Sequence, residues 1–105
     1  MHAFDVLGDP VRRLIIELLA DTELTSGEIT TKVQETFRVS QPGVSQHLRV
    51  LRDNGFVSVR PVGTRRVYSL DARPLAEIDA WLQPYRRFWA QRLDALDTEI
   101  RRGRL

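Results

Sequence analysis

The chain has 105 residues, 42% apolar and 29% charged, with a net charge of +2 and no cysteine. Such a length suits a single domain over residues 1–105 with a modest core, and the lack of thiols excludes disulfides, thiolate metal centres and cysteine nucleophiles. No run of about 18 apolar residues offers a membrane span, and Met1-His2-Ala3-Phe4-Asp5 lacks the basic and apolar blocks of a secretory signal, so a cytoplasmic protein is expected.

Asp9-Pro10 opens the first clear helix, since Asp caps well and Pro fits a first turn. Val11, Leu14, Ile15, Leu18 and Leu19 follow at helical spacing, and Asp21-Thr22-Glu23 ends the element. Thr25 or Ser26 caps a second helix reaching about Phe37, with Ile29 and Val33 turned inward. Ser40 caps a third, with Pro42 in its first turn and Val44, Leu48 and Leu51 on one side. Asn54-Gly55 stops it. The period then changes. Phe56–Arg60 reads as a strand, Gly63-Thr64 as a two-residue turn and Arg66–Leu70 as the return strand. A helix begins near Asp71 or Arg73 and runs to Trp81-Leu82, and Pro84 marks a break. A long amphipathic helix runs from Tyr85 to about Arg102, roughly 27 Å. The predicted fold is mainly α with a small β-hairpin: a helix-turn-helix followed by a wing.

Charge is uneven along the chain. Residues 1–35 carry a balance of −4, residues 36–70 one of +5 from six arginines against Asp53, and the remainder +1. A basic middle third fits either a solvated surface or an anionic partner. On the third helix Gln41, Ser45, Gln46, Arg49 and Arg52 lie opposite the apolar stripe. A helix of this width enters the major groove, where Gln pairs with adenine, Arg with guanine and Ser with either, and Pro42 can meet a thymine methyl. Ser40 with the free N–H groups of the helix start, and Arg38 just before it, suit phosphate oxygens. Arg60, Arg65 and Arg66 flank the hairpin turn. Alternation puts Arg65 and Arg66 on opposite faces. Arg65, next to the tip, is the better candidate for DNA, with Arg60 beside it.

Four stretches together resemble the ArsR family of winged-helix repressors: Leu7–Arg13, Ser40–Leu51, Asn54–Val57 and Gly63–Leu70. The resemblance implies a homodimer that binds an inverted repeat in a promoter, blocks transcription and lets go when an inducer binds. It also implies dimerisation through terminal helices: the N-terminal segment with Phe4 and Val6, and a last-helix stripe of Tyr85, Phe88, Trp89, Leu93, Leu96 and Ile100. The family's thiolate sensors carry two cysteines where this chain has Thr25 and Gly27, and its zinc sensors carry histidines on the last helix, whereas no histidine follows His47. These departures point away from metal sensing, and no cofactor is expected. Asp94, Asp97 and Glu99 read as a solvated helix face, since carboxylates alone make a poor zinc site.

His47, between Val44 and Leu51, can donate to a phosphate or pack against the wing, and packing is the favoured reading. His2 reads as a disordered terminal residue. Trp81, Tyr85, Phe88 and Trp89 exceed what one small core can bury, so they suit a dimer interface, an effector pocket or both. No phosphate loop, nucleophile–base motif or metal set suggests an enzyme. The competing function is a winged-helix module for protein partners, which would need an apolar third helix rather than Gln, Ser and Arg.

Overall fold

The computed structural model describes residues 2–101 and 103; within the last helix the side chains of Asp94, Thr98, Glu99 and Arg101 fall outside that description, as does the expected helix end at Arg102. The elements in chain order are α1 (Ala3–Leu7), α2 (Pro10–Asp21), β1 (Leu24–Thr25), α3 (Ser26–Gln34), α4 (Gln41–Asp53), β2 (Val57–Val62), β3 (Arg65–Leu70), α5 (Leu75–Leu82), a 3-10 turn (Gln83–Tyr85) and α6 (Arg86–Arg101).

Local chemistry sets most of these boundaries. The Asp9 carboxylate accepts from the N–H groups of Val11 and Arg12 at 2.8 and 3.2 Å, which satisfies two of the donors that a helix start leaves open. Thr25 and Glu28 cap α3 reciprocally: the Glu28 N–H donates to Thr25 Oγ1 and the Thr25 N–H to Glu28 Oε1. The second helix ends at Gln34, earlier than Phe37, and residues 35–40 form the turn into α4. There Ser40 Oγ accepts from the Gly43 N–H at 3.1 Å. Gly55, at φ 77°, closes α4 in the left-handed region.

Ile15 of α2, Ile29 and Val33 of α3, Val44 and Leu51 of α4, Phe56 and Val6 are fully enclosed. Each side chain of this kind contributes about 1.5–3 kcal/mol on burial, so these contacts fix the angles between the three central helices. Val6 is therefore part of the chain's own core, not of an outer face, which corrects its expected role at an interface. Phe56 lies just before β2 rather than in it, and is buried.

The strands form one antiparallel sheet in the order β1-β3-β2. Val62 pairs with Arg65 around Gly63-Thr64, with Gly63 at φ 62°, and Leu24 and Thr25 pair with Tyr68 and Val67. The wing thus has a third strand at its root. His2 is ordered: its Nδ1 caps α1 by accepting from the Phe4 N–H at 3.4 Å, and its Nε2 lies 2.5 Å from Glu77 Oε1 on α5. The expectation of a disordered terminal residue fails because α1 supplies a partner to one ring nitrogen and α5 to the other.

Candidate nucleic-acid interface

Packing of Val44, Leu48 and Leu51 into the core turns the other side of α4 outward. Gln41, Pro42, Ser45, Gln46 and Arg49 are all exposed and together line one shallow surface. Ser40 stands at the helix N-cap; its oxygen accepts from Gly43, which leaves its hydroxyl proton to donate elsewhere. Arg38 is exposed on the turn between α3 and α4, which is braced by Gln34 Nε2 donating to the Val39 carbonyl at 3.1 Å. The structure therefore brings Gln41, Pro42, Ser45, Gln46 and Arg49 to one surface, with Arg38 and Ser40 exposed on the turn that leads into it.

The wing distributes its arginines more finely than alternation suggests. Arg60 on β2 forms an ion pair with Glu23, just before β1. Arg65 lies near Glu28 at the start of α3, and its charge helps lower the Glu28 pKa, after the larger effect of the hydrogen bonds from Thr25. Arg66 shares a strand face with buried Tyr68 and borders a cleft with Arg49 and Arg52 of α4. The sequence favours Arg65 over Arg66 and puts Arg52 on the groove-facing side of the third helix without pairing it with the wing. The signal that could have found the pair was the i, i+2 relation of Arg66 to Tyr68, an apolar residue that had to face the core.

Behind α4, Arg12 joins three elements. Its Nε donates to the Val6 carbonyl at 2.7 Å, Nη2 donates to the Asp5 carbonyl at 3.0 Å, and Nη1 lies 3.5 Å from His47 Nδ1. His47 Nδ1 is also 4.0 Å from Asp9 Oδ1. His47 is half-buried, as expected, but its polar partners belong to α2 rather than to the wing.

The family described as "Bacterial regulatory protein, arsR family" matches residues 9–59, from the α2 cap into β2. The chain is 44% identical over 92 residues to the HTH-type transcriptional regulator Rv2034 of Mycobacterium tuberculosis, covering 88% of this chain and 79% of that protein. This chain belongs to the ArsR family. It is also 32% identical over 81 residues to the transcriptional repressor SdpR of Bacillus subtilis, covering 77% of this chain and 86% of the repressor. The crystal structure of a possible transcriptional regulator for arsenical resistance superposes with a TM-score of 0.68 at 33% identity, covering 94% of this chain and 96% of that one. The ArsR-type winged helix is thus the fold, and the chain is a DNA-binding transcriptional regulator of that family. Arg60, Arg65, Arg66 and the terminal helices lie beyond the matched family segment, whereas the structural likeness covers 94% of the chain.

The far side of this ArsR-family fold is apolar and open. Phe4 meets Trp81 edge-on at 5.4 Å between ring centroids, and Trp81 lies 5.0 Å from Tyr85. Phe88, Leu93, Ile100 and Trp81 are 60%, 59%, 56% and 55% exposed, and Tyr85, Trp89 and Leu96 are exposed beside them. Of the carboxylates expected on a solvated face, the side chains of Asp94 and Glu99 lie outside the described residues, and Asp97 has an interaction partner. Among the described residues no helix is long and apolar enough to cross a membrane.

Proposed function

We propose that this chain is a homodimeric repressor that binds an inverted-repeat operator in duplex DNA and releases it when a non-metal effector binds. The observation that carries the reading is the outward row Gln41, Pro42, Ser45, Gln46 and Arg49 on a helix whose opposite face is locked in the core. In this reading α4 enters the major groove. Gln46 and Arg49 read base edges, Gln41 and Ser45 assist, and Pro42 contacts a thymine methyl. Arg38 and Ser40 hold phosphates at the helix start. The wing places Arg60 and Arg65 over the backbone or the neighbouring minor groove. Arg60 must exchange Glu23 for a phosphate, and that costs little because an exposed ion pair contributes under about 1 kcal/mol.

The dimer reading rests on the apolar stripe from Phe4 and Tyr85 through Phe88, Trp89, Leu93, Leu96 and Ile100, a surface that one copy leaves wet and a second copy would cover. Repression is supported by the repressor among its relatives. An apolar effector would sit among Phe4, Trp81 and Tyr85, close to the subunit contact, so that binding shifts the spacing of the two α4 helices. Selection of bound duplexes from a random-sequence library tests the reading. It should enrich two inverted half-sites about one helical turn apart, or a multiple of that. Enrichment of a single unpaired half-site would remove the dimer from the mechanism, and no enrichment would remove specific recognition.

A further inference from the structure

We propose that the cleft between α4 and β3 is a site for a phosphate oxyanion, supplied either by a backbone phosphodiester of bound DNA, which rests on the DNA-binding reading above, or by a free phosphate. The cleft has a volume of about 210 Å³ and is lined by Ser26, Ser45, Arg49, Arg52 and Arg66 above Leu48 and Tyr68.

Three features set it apart from an ordinary basic surface. First, its arginines are uncommitted. Elsewhere Arg12 and Arg13 donate to backbone carbonyls, and Arg60, Arg73 and Arg86 pair with Glu23, Asp71 and Asp79. Among the described residues, none of Arg49, Arg52 and Arg66 has a carboxylate or carbonyl partner, and no acidic side chain lines the cleft. Three guanidinium groups around one small space repel one another, and an anion seated between them relieves that repulsion. Second, the side chains come from two rigid elements. Arg49 and Arg52 project from a helix pinned by Leu48 and Leu51, and Arg66 from a strand pinned by Tyr68 between β1 and β2. The planar forks are therefore brought together by the fold, which suits the multidentate recognition of phosphate that arginine provides. Third, the hydroxyls of Ser26 and Ser45 border the same space and can add neutral donors.

This divides α4 into two working faces. Gln41, Pro42 and Gln46 open outward with Ser45 and Arg49, whereas Arg52 turns toward the wing. A phosphate held between helix and wing would fix the wing's position while the outer face reads bases.

Two measurements on the full chain decide the proposal. The first follows the arginine Nε–H signals of the free protein as inorganic phosphate replaces chloride at constant ionic strength. Saturable shifts at Arg52 and Arg66, abolished in R66A, are expected, with Arg49, which also borders the outer face, responding less. The second uses duplexes of a selected site in which single phosphates are replaced by neutral methylphosphonates. One position per half-site should weaken wild-type binding by about tenfold, while R52A and R66A, already weakened, lose almost nothing more there. Such coupling makes the DNA backbone the source. Saturation by phosphate without coupling supports the cleft with a free phosphate as its ligand. If phosphate gives no saturable shift and no position shows coupling, the proposal is overturned. If no duplex is preferred, the DNA reading fails by itself and the phosphate titration still decides the cleft. Arg52 and Arg66 are exposed, so both variants should keep the wild-type circular dichroism.

Discussion

Asp9 joins a cap, a charge network and a pH response in one side chain. Burial alone would raise its carboxyl, but the N–H groups of Arg12 and Val11, with the charges of His47 and Arg12, outweigh that and hold it below the ordinary 3.8. A depressed pKa stabilises the folded state fully above the ordinary value, and that contribution disappears as pH falls through the depressed one. Asp9→Ala should cost about 1 kcal/mol at neutral pH. Asp9→Asn keeps the cap and should lose less, but its stability should fall less steeply below about pH 4 than wild type's. Denaturant unfolding across pH checks both; identical acid slopes in wild type and Asp9→Asn would remove the carboxylate from the account. On α4, Arg49→Ala should weaken the operator by about 1–3 kcal/mol and relax the preference at one base position. Binding to a panel of single-base variants checks this, and a uniform loss on every sequence would move Arg49 from base reading to the backbone. Residues such as Asp9, Ser40 and Pro42 were legible in the sequence because caps act within three residues of themselves. The meeting of Arg52 and Arg66 was not, because it depends on the register of a strand against a helix.

At the scale of elements, the strongly periodic helices and the hairpin were readable, and the short pieces were not. β1 has two residues and no period of its own; it exists because Leu24 pairs with Tyr68. α1 has five residues, too few to be stable alone, and is held by its His2 cap, by Arg12 and by burial of Ala3 and Val6. The missed strand matters for function because it carries the acidic approach to the wing: Glu23 precedes it and Glu28 follows it. Glu23→Gln should free Arg60 and raise the affinity for any duplex severalfold, whereas Arg60→Ala should flatten the salt dependence by about one unit. Affinity measured against salt concentration reads both effects, and an unchanged slope would mean that Arg60 stays away from phosphates.

At the scale of the whole molecule, the radius of gyration is 17.6 Å and the longest dimension 55 Å. A compact chain of this length has a radius of about 13 Å. The excess comes from α6, which leaves the body after the 3-10 turn and shows its apolar stripe to solvent. The stripe was legible in the sequence as spacing, from Tyr85 to Ile100, but what covers it is not set by contacts within one chain. Leu93→Glu should convert dimers to monomers in sedimentation and weaken operator binding by breaking the pairing of half-sites; an unchanged dimer would place the contact elsewhere. In the proposed function, α4 and the wing recognise particular duplex sequences through a positively charged edge. Fluorescence anisotropy across a salt series, comparing DNA from upstream of the chain's own gene with a scrambled duplex, tests that claim most directly. Tight, salt-sensitive binding that prefers the native duplex at every salt concentration is expected. Equal, weak binding to both duplexes would contradict it.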